Sequence, residues 1–293
     1  MKVNLITGNR KSGTTVLARL IDNEHIYVAS SETHYHNLEK VKSLVKKGEF
    51  SQKDVQKYFN YNLHLEQISL DETAYKKLIL QGVSSLDSIY DYISLHVRSL
   101  IAASNFNNRE QEIFFIKNVG GEISKNVSNF LKAFPESKII SITRDPRFIL
   151  KSIIKDRKKN NRQLSFAQKL RYAFEAQRSA NQQRALKNNK FIYTVDFEDL
   201  RSNHGDEVKN ILAFCKLPFT RINEITSING EKTNTATHSL KAKKGEVRFS
   251  SSKLYEDLSL LDFIICSSVK AIFIFINSYL SLKNVYKKIN SKR

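Results

Sequence analysis

Short apolar runs alternate with longer amphipathic segments along most of the chain. Each apolar run is rich in β-branched residues and has the length of a single strand. The predicted strands cover residues 3–7, 26–28, 112–118, 138–143 and 190–195. The predicted helices cover residues 16–21, 124–134, 146–158, 166–186 and 206–215. Alternation of this kind is typical of an α/β fold, so we expect a parallel β-sheet flanked by helices on both faces.

Two segments depart from this alternation. Residues from about 37 to 108 place charged and apolar positions at spacings of three and four without a clear strand, which predicts a helical insertion. Residues from about 256 to 289 predict a C-terminal amphipathic helix. Polar residues such as Asp262 and Lys270 interrupt its apolar run, which leaves it too short to span a membrane. We expect one domain over residues 1–293 and no transmembrane segment.

The first strand leads into a loop bracketed by two glycines, and a helical pattern follows at once. The loop spans residues 8–15 and reads Gly-Asn-Arg-Lys-Ser-Gly-Thr-Thr. A strand, a glycine-rich loop and a helix in this order form a phosphate cradle, because backbone N–H groups and the helix N-terminus point at the anion. Side chains add further donors: Lys11, Ser12, Thr14 and Thr15.

This loop differs from a nucleotide-triphosphate loop in one position. The triphosphate motif requires lysine directly after its second glycine. Here Gly8 and Gly13 have the right spacing, but Thr14 follows, and the lysine is Lys11 inside the loop. The difference indicates a P-loop-like fold that holds another kind of phosphate ester.

A second anion-binding pattern follows the fourth predicted strand. Asp145 suits an N-cap and Pro146 the first helical position, so a helix starts directly after Arg144. Ser152 lies two turns into that helix, and an arginine with a hydroxyl suits a phosphate. The alternative is a solvated basic helix. Segments 8–15, 30–34, 117–121 and 144–152 each follow a predicted strand, so we expect them to meet at the carboxyl edge of the sheet.

The composition is that of a basic globular protein. Its 48 Lys and Arg against 29 Asp and Glu give a net charge of +19. This charge favours a polyanionic partner such as an acidic glycan, nucleic acid or anionic lipid, or it reflects a general lysine bias. Nothing predicts a specific nucleic-acid partner. Cys215 and Cys266 lie in apolar runs and are expected to be buried reduced thiols.

Neither a metal site nor a signal peptide is predicted. The histidines lack the spacing of metal ligands. Met1 and Lys2 lead directly into the first strand, so we expect a cytoplasmic protein.

Together the two phosphate motifs resemble a known family. Residues 11–15 resemble the 5′-phosphosulfate loop of sulfotransferases that use 3′-phosphoadenosine 5′-phosphosulfate (PAPS), and residues 144–152 resemble their 3′-phosphate motif. Residues 31–34 and 197–200 are similar to segments of the bacterial and tyrosylprotein branch. The resemblance covers roughly residues 1–36 and 112–215.

The resemblance implies sulfuryl transfer from PAPS to a hydroxyl or amine of an unidentified acceptor, with a glycan as one candidate. The product is 3′-phosphoadenosine 5′-phosphate (PAP), and no metal is needed. Lys11 would contact the bridging and sulfonate oxygens. The 5′-phosphate would bind to Gly13, Thr14 and Thr15, and the 3′-phosphate to Arg144 and Ser152. Arg10 either adds charge or faces solvent.

The same resemblance implies candidates for proton transfer and for a second catalytic cation. Glu32 is the first candidate for the general base and His34 the competitor, since histidine suits proton transfer near pH 7. Lys117 matches a lysine near the transferring group in the tyrosylprotein branch. Its alternative is a strand-end lysine in solvent.

Some features depart from the family pattern. Phe197 replaces a common tyrosine, Asp196 stands where a basic residue is frequent, and residues 37–108 match no known segment. Two other functions stay open on the sequence alone. One is a P-loop kinase or NTPase, and the other is a non-enzymatic polyanion-binding protein.

Overall fold

A computed structural model describes most of the chain. The described residues are 2–22, 26–30, 38–59, 70–104, 113–120, 122–217, 227–228, 231–232, 259–265, 267–269 and 271.

The centre of the fold is a five-stranded parallel sheet with the strand order β2-β3-β1-β4-β5. Its strands are β1 (Lys2–Gly8), β2 (Ile26–Ser30), β3 (Ile113–Val119), β4 (Ile139–Thr143) and β5 (Ile192–Asp196). The predicted parallel sheet is confirmed, and each strand lies within about two residues of its predicted position.

Helices follow the strands, and five of the six match predicted helices, whereas the short helix Phe197–Ser202 is not predicted by the periodicity. They are α1 (Thr14–Ile21), α6 (Ile123–Ala133), α7 (Pro146–Lys159), α8 (Phe166–Leu186), α9 (Phe197–Ser202) and α10 (His204–Phe214). Parallel strands need crossover connections, and these helices provide them. The predicted α/β fold class is therefore confirmed.

The described part of the expected insertion is mostly helical, and Leu70 and Ser104 form an isolated antiparallel β-bridge in it. Its helical elements are α2 (Leu38–Lys46), α3 (Gln52–Tyr58), α4 (Glu72–Gly82), a 3-10 turn (Val83–Ser85) and α5 (Ile89–Ala103). Polar side chains define their starts, because Asp71 caps α4 and Ser88 forms a capping box with Asp91 at the start of α5.

Each face of the sheet carries its own hydrophobic cluster. On one face, side chains such as Leu5 and Phe114 pack with the insertion and α6. On the other, Ile6 and Phe115 pack with α1 and α10. Cys215 belongs to the second cluster, where it is a free thiol as predicted, and burial raises its pKa to about 12. Cys266 lies outside the described residues.

The chain divides into two compact units. The first comprises residues 1–143 and 183–250, and it contains the sheet. The second comprises residues 144–182 and 251–293. Its core joins α7 and α8 to Ile265 and Val269 of the C-terminal segment, of which residues 260–265 and 267–269 are helical. The single-domain organisation stays a prediction.

A membrane span is not found in the described part of the chain, where every helix is too short or too polar to cross a bilayer. Two short strands, β6 (Ser227–Ile228) and β7 (Glu231–Lys232), form a separate antiparallel pair.

Candidate active site

The carboxyl ends of the strands lie along one edge of the sheet. Gly8 at the end of β1 is in register with Val119 of β3 and Ile142 of β4, and Thr143 is in register with Asp196 of β5. The Gly120 N–H donates to the Gly8 carbonyl oxygen at 2.9 Å, which ties the segments after β1 and β3 together. This edge is where open parallel sheets bind ligands.

The loop after β1 is folded by hydrogen bonds to Asn9. The Ser12 N–H and the Ser12 hydroxyl both donate to the Asn9 carbonyl oxygen, at 3.1 and 2.7 Å. The Arg10 N–H donates to Asn9 Oδ1 at 2.8 Å. Ser12 is fully buried, so in this arrangement its hydroxyl shapes the loop. A phosphate contact from Ser12 stays a prediction, and Arg10 is exposed.

The backbone of the loop suits an anion. Lys11 and Gly13 both have positive φ, at 63° and 104°, with Ser12 between them. Left-handed residues among right-handed ones turn successive N–H groups toward a common concave side, a geometry that binds phosphates. Gly13 is also the N-cap of α1, where it offers no capping side chain, and the first turn carries no acidic residue. The positive end of the helix dipole is therefore not offset locally.

Close contacts require glycine at both ends of the loop. A Cβ on Gly8 would lie 2.6 Å from Ser12 Oγ and 2.7 Å from the Ile142 carbonyl oxygen. A Cβ on Gly13 would meet the ring of Phe197 at the start of α9. Because neither Gly8 nor Gly13 has a β-carbon, the loop can pack closely against β4 and α9.

Lys117 reaches the loop from the neighbouring strand. Its Nζ donates to Thr15 Oγ1 at 3.2 Å, and only 3% of the residue is exposed. The structure therefore excludes the alternative of a lysine in bulk solvent. Lys117 of β3 is also in register with Ser30, the last residue of β2. Glu32 and His34 themselves lie outside the described residues.

The second motif, in the other unit, has the predicted helix start. Asp145 caps α7 by accepting from the Arg147 N–H at 2.8 Å, and Pro146 occupies the first turn. The Asp145 carboxylate also forms an ion pair with Arg147, at 2.6 Å. The Arg144 guanidinium lies over the ring of Phe148, 5.6 Å from its centroid. Phe148 is one helical turn before Ser152, so these two residues lie on the same side of α7.

A sequence profile described as the sulfotransferase family matches residues 5–221, about three quarters of the chain. The chain belongs to the sulfotransferase family. The match includes both phosphate motifs, and the predicted resemblance is confirmed at the level of the family. No curated protein matches this sulfotransferase in sequence.

The chain is similar to solved sulfotransferase structures, and the first of those named here supports a shared fold. The sulfotransferase domain of the Synechococcus PCC 7002 olefin synthase is 14% identical, with a TM-score of 0.50, over 91% of this chain and 94% of its own. A sulfotransferase from Alicyclobacillus acidocaldarius is 16% identical, with a TM-score of 0.45, over 78% and 85% of the two chains. A mouse sulfotransferase complexed with PAP is 13% identical, with a TM-score of 0.41, over 76% and 61%.

The sequence motifs do not predict two contacts of the sulfotransferase, that of Phe197 with Gly13 and that of Arg144 with Phe148. Phe197 stands out in the sequence only as a departure from a common tyrosine, and its packing on Gly13 needs the folded sheet. The contact of Arg144 with Phe148 has a local signal, the spacing of four residues at a helix start. In the described part of the chain no group of three or more His, Cys, Asp or Glu is placed to hold a metal ion.

Proposed function

We propose that this sulfotransferase transfers a sulfuryl group from PAPS to a hydroxyl or amine of its acceptor. The observation that carries the proposal is the loop after β1, in which two residues with positive φ precede a helix start that has no capping side chain. This backbone geometry suits an anion. Thr14 and Thr15 begin that helix, and Lys117 approaches it from β3. This donor set fits the 5′-phosphosulfate end of the nucleotide.

The 3′-phosphate is assigned to Arg144 and Ser152. Arg144 directly precedes α7, and Ser152 follows Phe148 by one turn on the side over which the guanidinium lies. A planar guanidinium can bind phosphate through two N–H groups, and a hydroxyl adds a third donor. Binding of both motifs to one nucleotide stays a prediction.

The chemistry follows from the charges that change during transfer. The bond between sulfur and the bridging oxygen of the 5′-phosphosulfate breaks, and a sulfur–oxygen or sulfur–nitrogen bond to the acceptor forms. Negative charge then grows on the departing oxygen, so fixed cations speed the reaction by electrostatic stabilisation. We assign Lys11 and Lys117 to this role. The acceptor proton passes to a general base. We assign this role to Glu32, with His34 as the second candidate.

An acidic glycan is the acceptor class that we favour. The net charge of +19 supports it, because a basic surface raises the local concentration of a polyanionic substrate. A non-enzymatic polyanion binder with the same charge would show affinity that collapses with salt and does not depend on Lys11.

Calorimetry with PAP tests the donor. We expect wild-type binding to fall at least tenfold in Arg144→Ala and in Lys11→Ala. Arg171→Ala is the matched control, since it removes the same charge from an exposed arginine on α8 that pairs only weakly with Glu175 at 3.5 Å. If PAP does not bind the wild type, the proposal is wrong.

Labelled-sulfate transfer tests the chemistry and the acceptor. A screen of glycans, lipids and peptides should give product with wild type, and Glu32→Gln should abolish it. Full activity in Glu32→Gln with loss in His34→Gln would reassign the base to histidine. Transfer to small alcohols or peptides, with none to acidic glycans, would overturn the acceptor class alone.

A further inference from the structure

Phe148 is a partly exposed aromatic residue in the first turn of α7. The helix buries Ile149, Leu150, Ile153 and Ile154 in the core of its unit, and Phe148 does not belong to that cluster. Its ring instead lies under the guanidinium of Arg144, with 5.6 Å between Cζ and the ring centroid. The ring of Phe148 therefore contacts a charged group at the surface of the unit, and not the apolar core.

A contact of this kind restricts a long side chain without using up its hydrogen-bonding capacity. The attraction acts between the positive guanidinium and the negative face of the ring. A guanidinium over a ring still donates through its in-plane N–H groups, which are the groups that bind phosphate. An arginine without such a contact loses more rotamer entropy when it binds its ligand.

The position of the ring also decides where the guanidinium lies. Residues four apart share one side of a helix, so Phe148 and Ser152 are neighbours along α7. Because Arg144 precedes the helix and lies over Phe148, its guanidinium is held on the side that carries the Ser152 hydroxyl. An aliphatic residue at position 148 has no aromatic ring and would not attract the guanidinium in this way.

We propose that Phe148 is a positioning residue that holds Arg144 beside Ser152 and so gives the enzyme its preference for nucleotides with a 3′-phosphate. The inference rests on the proposed function, because it takes the 3′-phosphate as the ligand of Arg144. It adds a residue that touches no reacting atom and acts only through Arg144.

The test compares two nucleotides on one protein. Calorimetry measures the affinities of PAP and of adenosine 5′-monophosphate, which lacks the 3′-phosphate, for wild type, Phe148→Leu and Phe148→Tyr. We expect Phe148→Leu to weaken the affinity for PAP about three- to tenfold and to leave the affinity for adenosine 5′-monophosphate unchanged. Phe148→Tyr keeps a ring and should retain the wild-type preference. The ratio of the two affinities is independent of the folded fraction in each sample.

A double-mutant cycle with Arg144→Ala separates positioning from general packing. If Phe148 acts through Arg144, adding Phe148→Leu to Arg144→Ala has no further effect on PAP. Equal weakening of both nucleotides in Phe148→Leu, or an unchanged ratio, would overturn the inference while the proposed function stands. Failure of wild type to prefer PAP would overturn both.

Discussion

The ring of Phe197 fills the space in which a β-carbon on Gly13 would lie. Such an atom would be 2.5 Å from Cε2 of the ring, closer still to Cδ2, and 3.3 Å from Ile142 Cδ1. Gly13 occupies the N-cap position of α1 and Phe197 begins α9, so this contact joins the phosphate loop after β1 to the helix after β5. The loop therefore depends on a residue far away in the sequence for its position.

Gly13→Ala should disable the loop. The substitution adds a β-carbon against the Phe197 ring at a φ of +104°, which L-residues rarely adopt. We expect a loss of about 2–4 kcal/mol in the free energy of unfolding, and at least a tenfold loss of PAP affinity. Urea denaturation and calorimetry measure the two effects.

Gly48→Ala is the control for the backbone strain alone. Gly48 also has a positive φ, +68°, but a Cβ there would meet nothing within 4 Å. Gly48→Ala should lower the free energy of unfolding by only about 1 kcal/mol and leave PAP binding intact. In a Phe197→Ala background, Gly13→Ala should cost less stability than it does in the wild type, because the clash with the ring is gone. Equal costs for the two glycine variants would show that the contact with Phe197 is unimportant.

Lys117→Met should impair catalysis more than nucleotide binding. Methionine keeps the length and apolar stem of this buried side chain but removes the charge that lies 3.2 Å from Thr15 Oγ1. Removing one group that stabilises developing charge typically lowers kcat by about 10²-fold. For Lys117→Met we expect a loss in kcat of about 10²-fold and a change in KM for PAPS of less than about fivefold. Steady-state kinetics measure both constants.

Lys125→Met serves as the matched control for Lys117→Met. Lys125 is an exposed lysine on α6, so its substitution should leave kcat unchanged. A Lys117→Met enzyme with full kcat would limit Lys117 to a structural contact with α1.

The sequence predicts the strands and most of the loop because their signals are local. Each strand is a short apolar run, and the glycine spacing after β1 identifies the cradle. The strand order is not predictable in this way, since it depends on which crossovers pass over which strand. The burial of Lys117 and the packing of Phe197 on Gly13 are likewise consequences of that order, because they join residues from different strands.

Acid should destabilise the insertion through His96. This residue is fully buried, its Nδ1 lies 2.7 Å from Tyr75 Oη, and burial lowers its pKa to about 3. The unfolded chain binds a proton near pH 6.5 and the folded chain does not, so stability falls as pH drops from about 6.5 toward 3. At pH 5 the loss from this group should be about 2 kcal/mol relative to pH 7.5.

Urea denaturation of wild type and His96→Gln at pH 7.5 and pH 5 measures this loss. Glutamine keeps a polar partner for Tyr75 but does not titrate, so the variant should lose less stability between the two pH values. Equal losses in the two proteins would mean that His96 does not control the acid response.

The C-terminal segment should depend on the ion pair between Asp262 and Lys169 of α8. The distance is 2.8 Å, and only 3% of Asp262 is exposed. Burial raises the pKa of Asp262, but hydrogen bonds from Lys169 and Ser259 and the charge of Lys169 outweigh it, so the pKa is lowered overall. The stabilisation is therefore present above the unfolded pKa of about 4 and is lost as pH falls below it.

Asp262→Asn should make the helix that starts at Leu260 more sensitive to protease, because it leaves Lys169 without its partner. We expect a loss of about 1–3 kcal/mol, less than for a fully buried pair because Lys169 is partly exposed. Glu175→Gln is the control, since it removes a carboxylate from the exposed pair with Arg171 and should cost less than about 0.5 kcal/mol. Limited proteolysis and urea denaturation measure both variants. Equal protease resistance would mean that the apolar contacts of Ile265 and Val269 hold the segment without help from the ion pair.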